Sequence, residues 1–141
     1  MIRNLFLSIL IVGMMTLNVS AIEPTADIKV EKLIQDSNSW DHKMLPAYPN
    51  GEPEVTILKI TIPAGAKLPL HHHPVINAGV LLSGELTVFA ADGKTNTLKA
   101  GDALIELVNT EHYGQNTGDT DAQIIVFYAG IKGEPITVKN E

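Results

Sequence analysis

The chain has 141 residues, 45% of them hydrophobic, with ten basic residues, sixteen acidic ones and no cysteine. That length fits one domain, large enough to bury a core without disulfide staples. Arg3 is the only arginine, so residues 22–141 carry nine lysines against sixteen acids, a net charge of −7. Such a surface argues against nucleic acid and anionic membranes as partners, and it lacks the bidentate clamp for phosphate and carboxylate ligands.

Taken in chain order, the first segment is a targeting signal. Arg3, the apolar run Leu5 to Leu17 and the small-x-small end Val19-Ser20-Ala21 describe a secretory signal peptide over residues 1–21. The run is too short for a good membrane span. Cleavage after Ala21 would release residues 22–141 to the periplasm or the extracellular space, free of the membrane.

Strand patterns dominate the rest of the chain. Ile28 to Ile34 reads as a first strand. Pro46 to Pro53, with three prolines and Gly51, is a loop. Glu54 to Ile62 (EVTILKITI) is rich in β-branched residues and reads as a strand. Pro63-Ala64-Gly65 turns the chain, Leu68 to His73 is extended, and Ala78 to Leu82 is apolar up to the turn at Ser83-Gly84. The strands ELTVFA and TNTLKA pair across Asp92-Gly93, a hairpin signal. Gly101-Asp102 turns into ALIELV, Asn116 to Asp121 is a turn cluster, and AQIIVFYA is the last strong strand. The polar tail after Gly130 is expected on the outside. No helix or internal repeat is evident. Many short strands with frequent turns indicate an all-β sandwich or barrel.

Three of the five histidines are adjacent, in HHHPVINAG from His71. On a strand, residues two apart share a face. His71 and His73 therefore point one way, toward the interior with Asn77, while His72 points outward. Two imidazoles on one face can supply two metal ligands. The candidates for a third are His42, in a polar loop, and His112, which follows a strand and turn. Glu106 interrupts the apolar run ALIELV. An inward carboxylate there would need a metal or imidazole partner, yet alternation alone leaves it equally able to face water. Glu111 reads as a loop surface charge. Tyr113, next to His112, reads as a pocket-rim residue. Phe127 and Tyr128 lie on opposite faces of one strand, so one of them is inside.

These residues resemble the two motifs of the cupins, single-domain double-stranded β-helix barrels related to the jelly roll. The first motif matches at Gly65, His71, His73 and Gly84. The second matches at Gly101, His112 and Asn116, with Leu107 and Asn109 where the family has proline and glycine. The resemblance spans about residues 54–130 of one domain, 22–141. It implies that His71, His73 and His112 are metal ligands. The family's fourth ligand, a glutamate, falls at Asn77, whose neutral oxygen is a poorer donor.

Three imidazoles favour one divalent transition ion such as Fe, Zn, Ni or Cu over the oxygen-loving Mn and Mg. Asn77 and Glu106 are the remaining groups placed to bind the metal or to orient what it holds. The ligand set resembles that of cupin dioxygenases acting on small chelating molecules. Members that hold carboxylates or phosphates lean on arginine, so a small neutral or weakly acidic chelating substrate is favoured here. A non-catalytic binding protein for a metal or small ligand is the alternative. The resemblance also implies pairing through the sheets, as a homodimer.

Overall fold

The computed structural model describes residues 28–139; the expected signal segment lies outside them. It divides into two units, residues 1–31 and 32–141. Among the described residues no helix is long and apolar enough to cross a membrane. The described residues of the second unit form nine strands. They are β1 (Pro53–Ile62), β2 (His71–His72), β3 (Ile76–Ser83), β4 (Glu85–Ala90), β5 (Thr95–Lys99), β6 (Ala103–Ile105), β7 (His112–Gln115), β8 (Ala122–Ile131) and β9 (Val138–Lys139). All pair antiparallel, in one sheet ordered β1-β8-β3-β6 and a second ordered β5-β4-β7-β2-β9. The all-β jelly-roll expectation is met.

The core follows from period-two patterning. Along β8, Ala122, Ile124, Val126 and Tyr128 are buried, while Ile125 and Phe127 are exposed. Tyr128 is thus the inward member of the aromatic pair. Leu81 of β3 and Leu86 and Val88 of β4 pack against this row from both sheets. Burial of such side chains stabilises by about 1.5–3 kcal/mol each.

Turn chemistry matches the sequence in detail. Gly84 links β3 to β4 at φ +75°, and a Cβ there would stand 2.7 Å from the Ala122 Cα and the Asp121 carbonyl, so only glycine fits. Asn109 takes the glycine position of the second motif at φ 52°, a left-handed conformation that asparagine tolerates. Its N–H donates to the His73 carbonyl at 2.8 Å. Asn116, fully buried, donates to the carbonyls of Ile62 (2.8 Å) and Thr120 (2.7 Å) and pins the turn before β8.

Two expectations fail. Residues 28–34 form no strand, and Ile28, Val30, Leu33 and Ile34 are all exposed. Their spacing suits a strand, but no described strand pairs with them, and a strand without a ladder leaves its backbone groups to water. The tail after Gly130 does not simply lie outside. It returns as β9, pairing Lys139 with His71 and Val138 with His72, which makes it part of the site's frame.

Candidate metal centre

The two sheets place three imidazoles together. β2 carries His71, His73 follows it, and β7 opens with His112, the antiparallel partner of His71. Ring centroids are 4.6 Å apart for His71 and His112, 4.9 Å for His71 and His73, and 5.1 Å for His73 and His112. One ligand atom from each lies within 4.8 Å of the other two. His72 does not line the cavity. His42 is exposed on a turn at φ 69° and stays out of the cluster.

Each ring is oriented by a backbone carbonyl. The Nδ1 atoms face Pro69 O at 2.7 Å, Ile136 O at 2.9 Å and Thr110 O at 2.7 Å, for His71, His73 and His112 in turn. A carbonyl only accepts, so the proton sits on Nδ1 and the Nε2 lone pair is left for a ligand. His112 Nε2 is buried with no hydrogen-bond partner. So is Asn77 Oδ1, whose amide nitrogen donates to Val75 O at 3.3 Å. Leaving such groups unpaired costs about 1–3 kcal/mol each. Asn77 and Glu106 line the same cavity as the three rings. Lone pairs and oxygens gathered in this way fit a divalent cation.

Glu106 turns inward. β6 ends at Ile105, and the alternation breaks there, with Leu104, Ile105 and Leu107 all buried. The Glu106 carboxylate accepts hydrogen bonds from Trp40 Nε1 and from the Leu107 N–H, both at 2.8 Å. Its Oε1 lies 3.9 Å from His112 Nε2, too far for a hydrogen bond. Trp40 is fastened to the same strand by its own N–H, which donates to Ile105 O at 3.0 Å. Its loop is stiffened by Asp41. Burial pushes the Asp41 carboxyl up, but hydrogen bonds from Lys43 and Ser39 outweigh this and hold it at about 2.

The cavity measures about 270 Å³. Its walls include Leu58, Ile60, Leu68, Leu86, Val88 and Val126, with Tyr128, Thr137 and Lys139 adding polar atoms. Tyr128 stands edge-on to His73, with ring centroids 5.4 Å apart. Burial pushes its phenol up, and the Glu106 charge acts in the same direction, so the phenol keeps its proton. Tyr113 is not on the rim. It stacks on Phe89 at 4.9 Å, with Lys67 Nζ 3.7 Å from its ring centroid. Sequence reasoning missed Trp40, Thr137 and Lys139. The indole had no distinguishing neighbour in the sequence, and the tail was assigned to the outside.

Burial pushes His73 down to about 4, and His71 is lowered for the same reason. The His73 ring is therefore neutral, as a ligand must be, well below neutral pH. The unfolded chain takes up these protons first, near 6.5. Stability of the metal-free protein is thus complete above that value and falls as pH drops toward 4. At roughly 1.4 kcal/mol per pH unit, His73 alone removes roughly 2–3 kcal/mol by pH 4.5. Urea midpoints at pH 7.0 and 4.5 measure this, and equal midpoints would contradict it.

Two antiparallel sheets that bring His71 on β2, His73 just after it and His112 on the neighbouring β7 together have the architecture of a cupin barrel. The cupin domain model matches residues 58–128, and the chain belongs to that family. No curated protein matches it. Among solved structures, a Klebsiella pneumoniae protein with a double-stranded β-helix domain is 22% identical, with a TM-score of 0.54 over 79% of this chain and 99% of its own. The DMSP lyase DddQ of Ruegeria pomeroyi is 22% identical, with a TM-score of 0.52 over 61% of this chain. The Cnp3 cupin domain of Schizosaccharomyces pombe is 21% identical, with a TM-score of 0.51 over 57% of this chain. The match spans only 43% of the lyase and 58% of the Cnp3 domain. These likenesses concern the fold.

Proposed function

We propose that the protein is a metal-dependent enzyme of the oxygenase type, acting on a small, neutral or weakly acidic, metal-chelating molecule. One observation carries the reading. Three imidazoles, each with Nδ1 committed to a carbonyl, sit in an apolar cavity of about 270 Å³. His71, His73 and His112 would hold one divalent ion of the Fe, Zn, Ni or Cu group. Such an ion, when bound with positions open, supplies a Lewis acid and, for iron, a route to dioxygen chemistry. The chain's own residues do the rest. The carbonyls of Pro69, Ile136 and Thr110 fix the rings, apolar side chains wall the site, and Tyr128 offers a neutral donor beside His73. Residues 22–141 contain no arginine to clamp a carboxylate or phosphate.

Anaerobic Fe(II) loading followed by oxygen uptake tests this reading, with diketones, phenols and thiols as substrates. Catalytic consumption with any of them supports the enzyme. Ligand binding without turnover supports the second reading, a non-catalytic binding protein, which the neutral side chain at Asn77 favours.

We also propose export and pairing. Cleavage after Ala21 gives a mature chain beginning at Ile22, and an intact Met1 in the mass spectrum of the secreted protein would oppose it. The outer face of the β1-β8-β3-β6 sheet exposes Val55, Ile57, Leu82, Ile125 and Phe127, with Ile57 directly opposite Phe127. Among the described residues β1 is also an uncovered sheet edge of ten residues. Apolar faces and long edges of this kind call for a partner. A homodimer is expected by light scattering at micromolar concentration, and Ile57→Lys should yield a monomer. A parent of monomer mass would refute it.

A further inference from the structure

Three neutral imidazoles leave a divalent ion its full charge, and Asn77 supplies none to offset it. Among the described residues one carboxylate lines the cavity, that of Glu106, and it is held rather than loose. Its side chain is 12% exposed, and Oε1 receives both the Trp40 indole N–H and the Leu107 N–H. Oε2 takes part in neither bond. Glu106 stands outside the ligand group formed by His71, His73 and His112, yet its Oε1 is 3.9 Å from the unpartnered His112 Nε2.

We propose that Glu106 is the charge partner of the metal centre, acting on the ion and on the water or ligand it holds from outside the three-imidazole set, and that Trp40 is its positioning residue. The inference rests on the reading that the histidines hold a divalent cation. A fixed carboxylate in a site of low dielectric attracts a cation far more strongly than one in water. Two N–H donors lock its orientation, so the charge stays aimed at the cavity. The segment around Trp40, upstream of every strand of the barrel, thereby becomes part of the centre.

Trp40 is the only tryptophan in the chain, so its emission reports on Glu106 directly. The probe is Zn²⁺ alone, a closed-shell ion, titrated into the metal-free protein. Binding is read both by emission and by competition with a chelator. In the parent, one ion per chain should shift the Trp40 emission saturably. Glu106→Gln keeps an oxygen to accept both hydrogen bonds and removes only the charge. It should weaken Zn²⁺ binding about 10- to 100-fold, the usual range for outer groups of a metal site, and shrink the emission change. Trp40→Phe keeps an aromatic ring, smaller than the indole, and deletes the N–H. It should weaken binding about three- to tenfold by chelator competition.

Equal affinity in Glu106→Gln and the parent would overturn the proposal while leaving the metal site standing. So would variants that melt earlier without the metal yet bind Zn²⁺ as the parent does, since that pattern marks a purely structural carboxylate. A parent that binds no Zn²⁺ would overturn both the proposal and the reading beneath it. If Trp40→Phe fails to fold, Glu106→Gln decides alone.

Discussion

His73→Ala is expected to abolish stoichiometric metal binding, and His72→Ala to leave it intact. The two positions are adjacent in sequence, but the strand sends them to opposite sides. His73 is buried beside His112 and Tyr128, whereas His72 is only half-buried and does not line the cavity. With three protein ligands, each one counts heavily. Structural zinc sites with four ligands release about 10–16 kcal/mol, so one ligand is worth roughly 3–4 kcal/mol, or two to three orders of magnitude in affinity. The side chain can be removed without breaking the frame, because the Asn109 N–H is held by the His73 carbonyl and not by its ring. Metal content after gel filtration, together with chelator competition, reads the result. Metal lost in His72→Ala but kept in His73→Ala would show that the two side chains are assigned to the wrong faces.

The ladder and the histidine cluster were legible in the sequence because local chemistry fixes both. Asp92-Gly93 sets the β4–β5 hairpin, with Gly93 at φ +89°. The two-residue spacing of His71 and His73 survives because Pro74 follows them and does not shift their phase. His42 in its polar loop and His112 after a strand and turn both stayed open as the third ligand until the resemblance chose His112.

Glu106 was undecidable from alternation for a physical reason. β6 is three residues long, and beyond it the chain bends to bury Leu104, Ile105 and Leu107 together, so period two no longer assigns a face. Trp40 and the tail were illegible because their roles depend on partners far away in sequence. The indole reaches Glu106 and the Ile136 carbonyl reaches His73, pairs separated by 66 and 63 residues. Residues 28–34 show the converse error. Their pattern is right for a strand, but no described neighbour receives it.

Asn77→Glu is expected to lower the melting temperature of the metal-free protein and to enlarge the rise that metal produces. Asn77 is 1% exposed, and its Oδ1 already lacks a partner. A carboxylate at this site would be buried without a countercharge, on the cavity wall it shares with Glu106, whose N–H donates to the Asn77 carbonyl at 3.0 Å. An uncompensated buried charge costs about 3–5 kcal/mol, which for a domain of this size is a fall of roughly 10 °C or more. Metal reverses the sign. The added charge lowers the net charge of the centre by one, strengthens binding, and moves preference from Zn toward harder ions such as Mn. It also raises the pKa of metal-bound water by lowering the net charge. Melting of parent and variant without metal, with Zn²⁺ and with Mn²⁺ measures all of this except the water. If the metal-free variant melts with the parent and Mn²⁺ adds nothing, the side chain at this position does not face the ion. If the parent holds metal only weakly and Asn77→Glu rescues it, the three-histidine centre is the remnant of a four-ligand site, and the case for an active enzyme ends there.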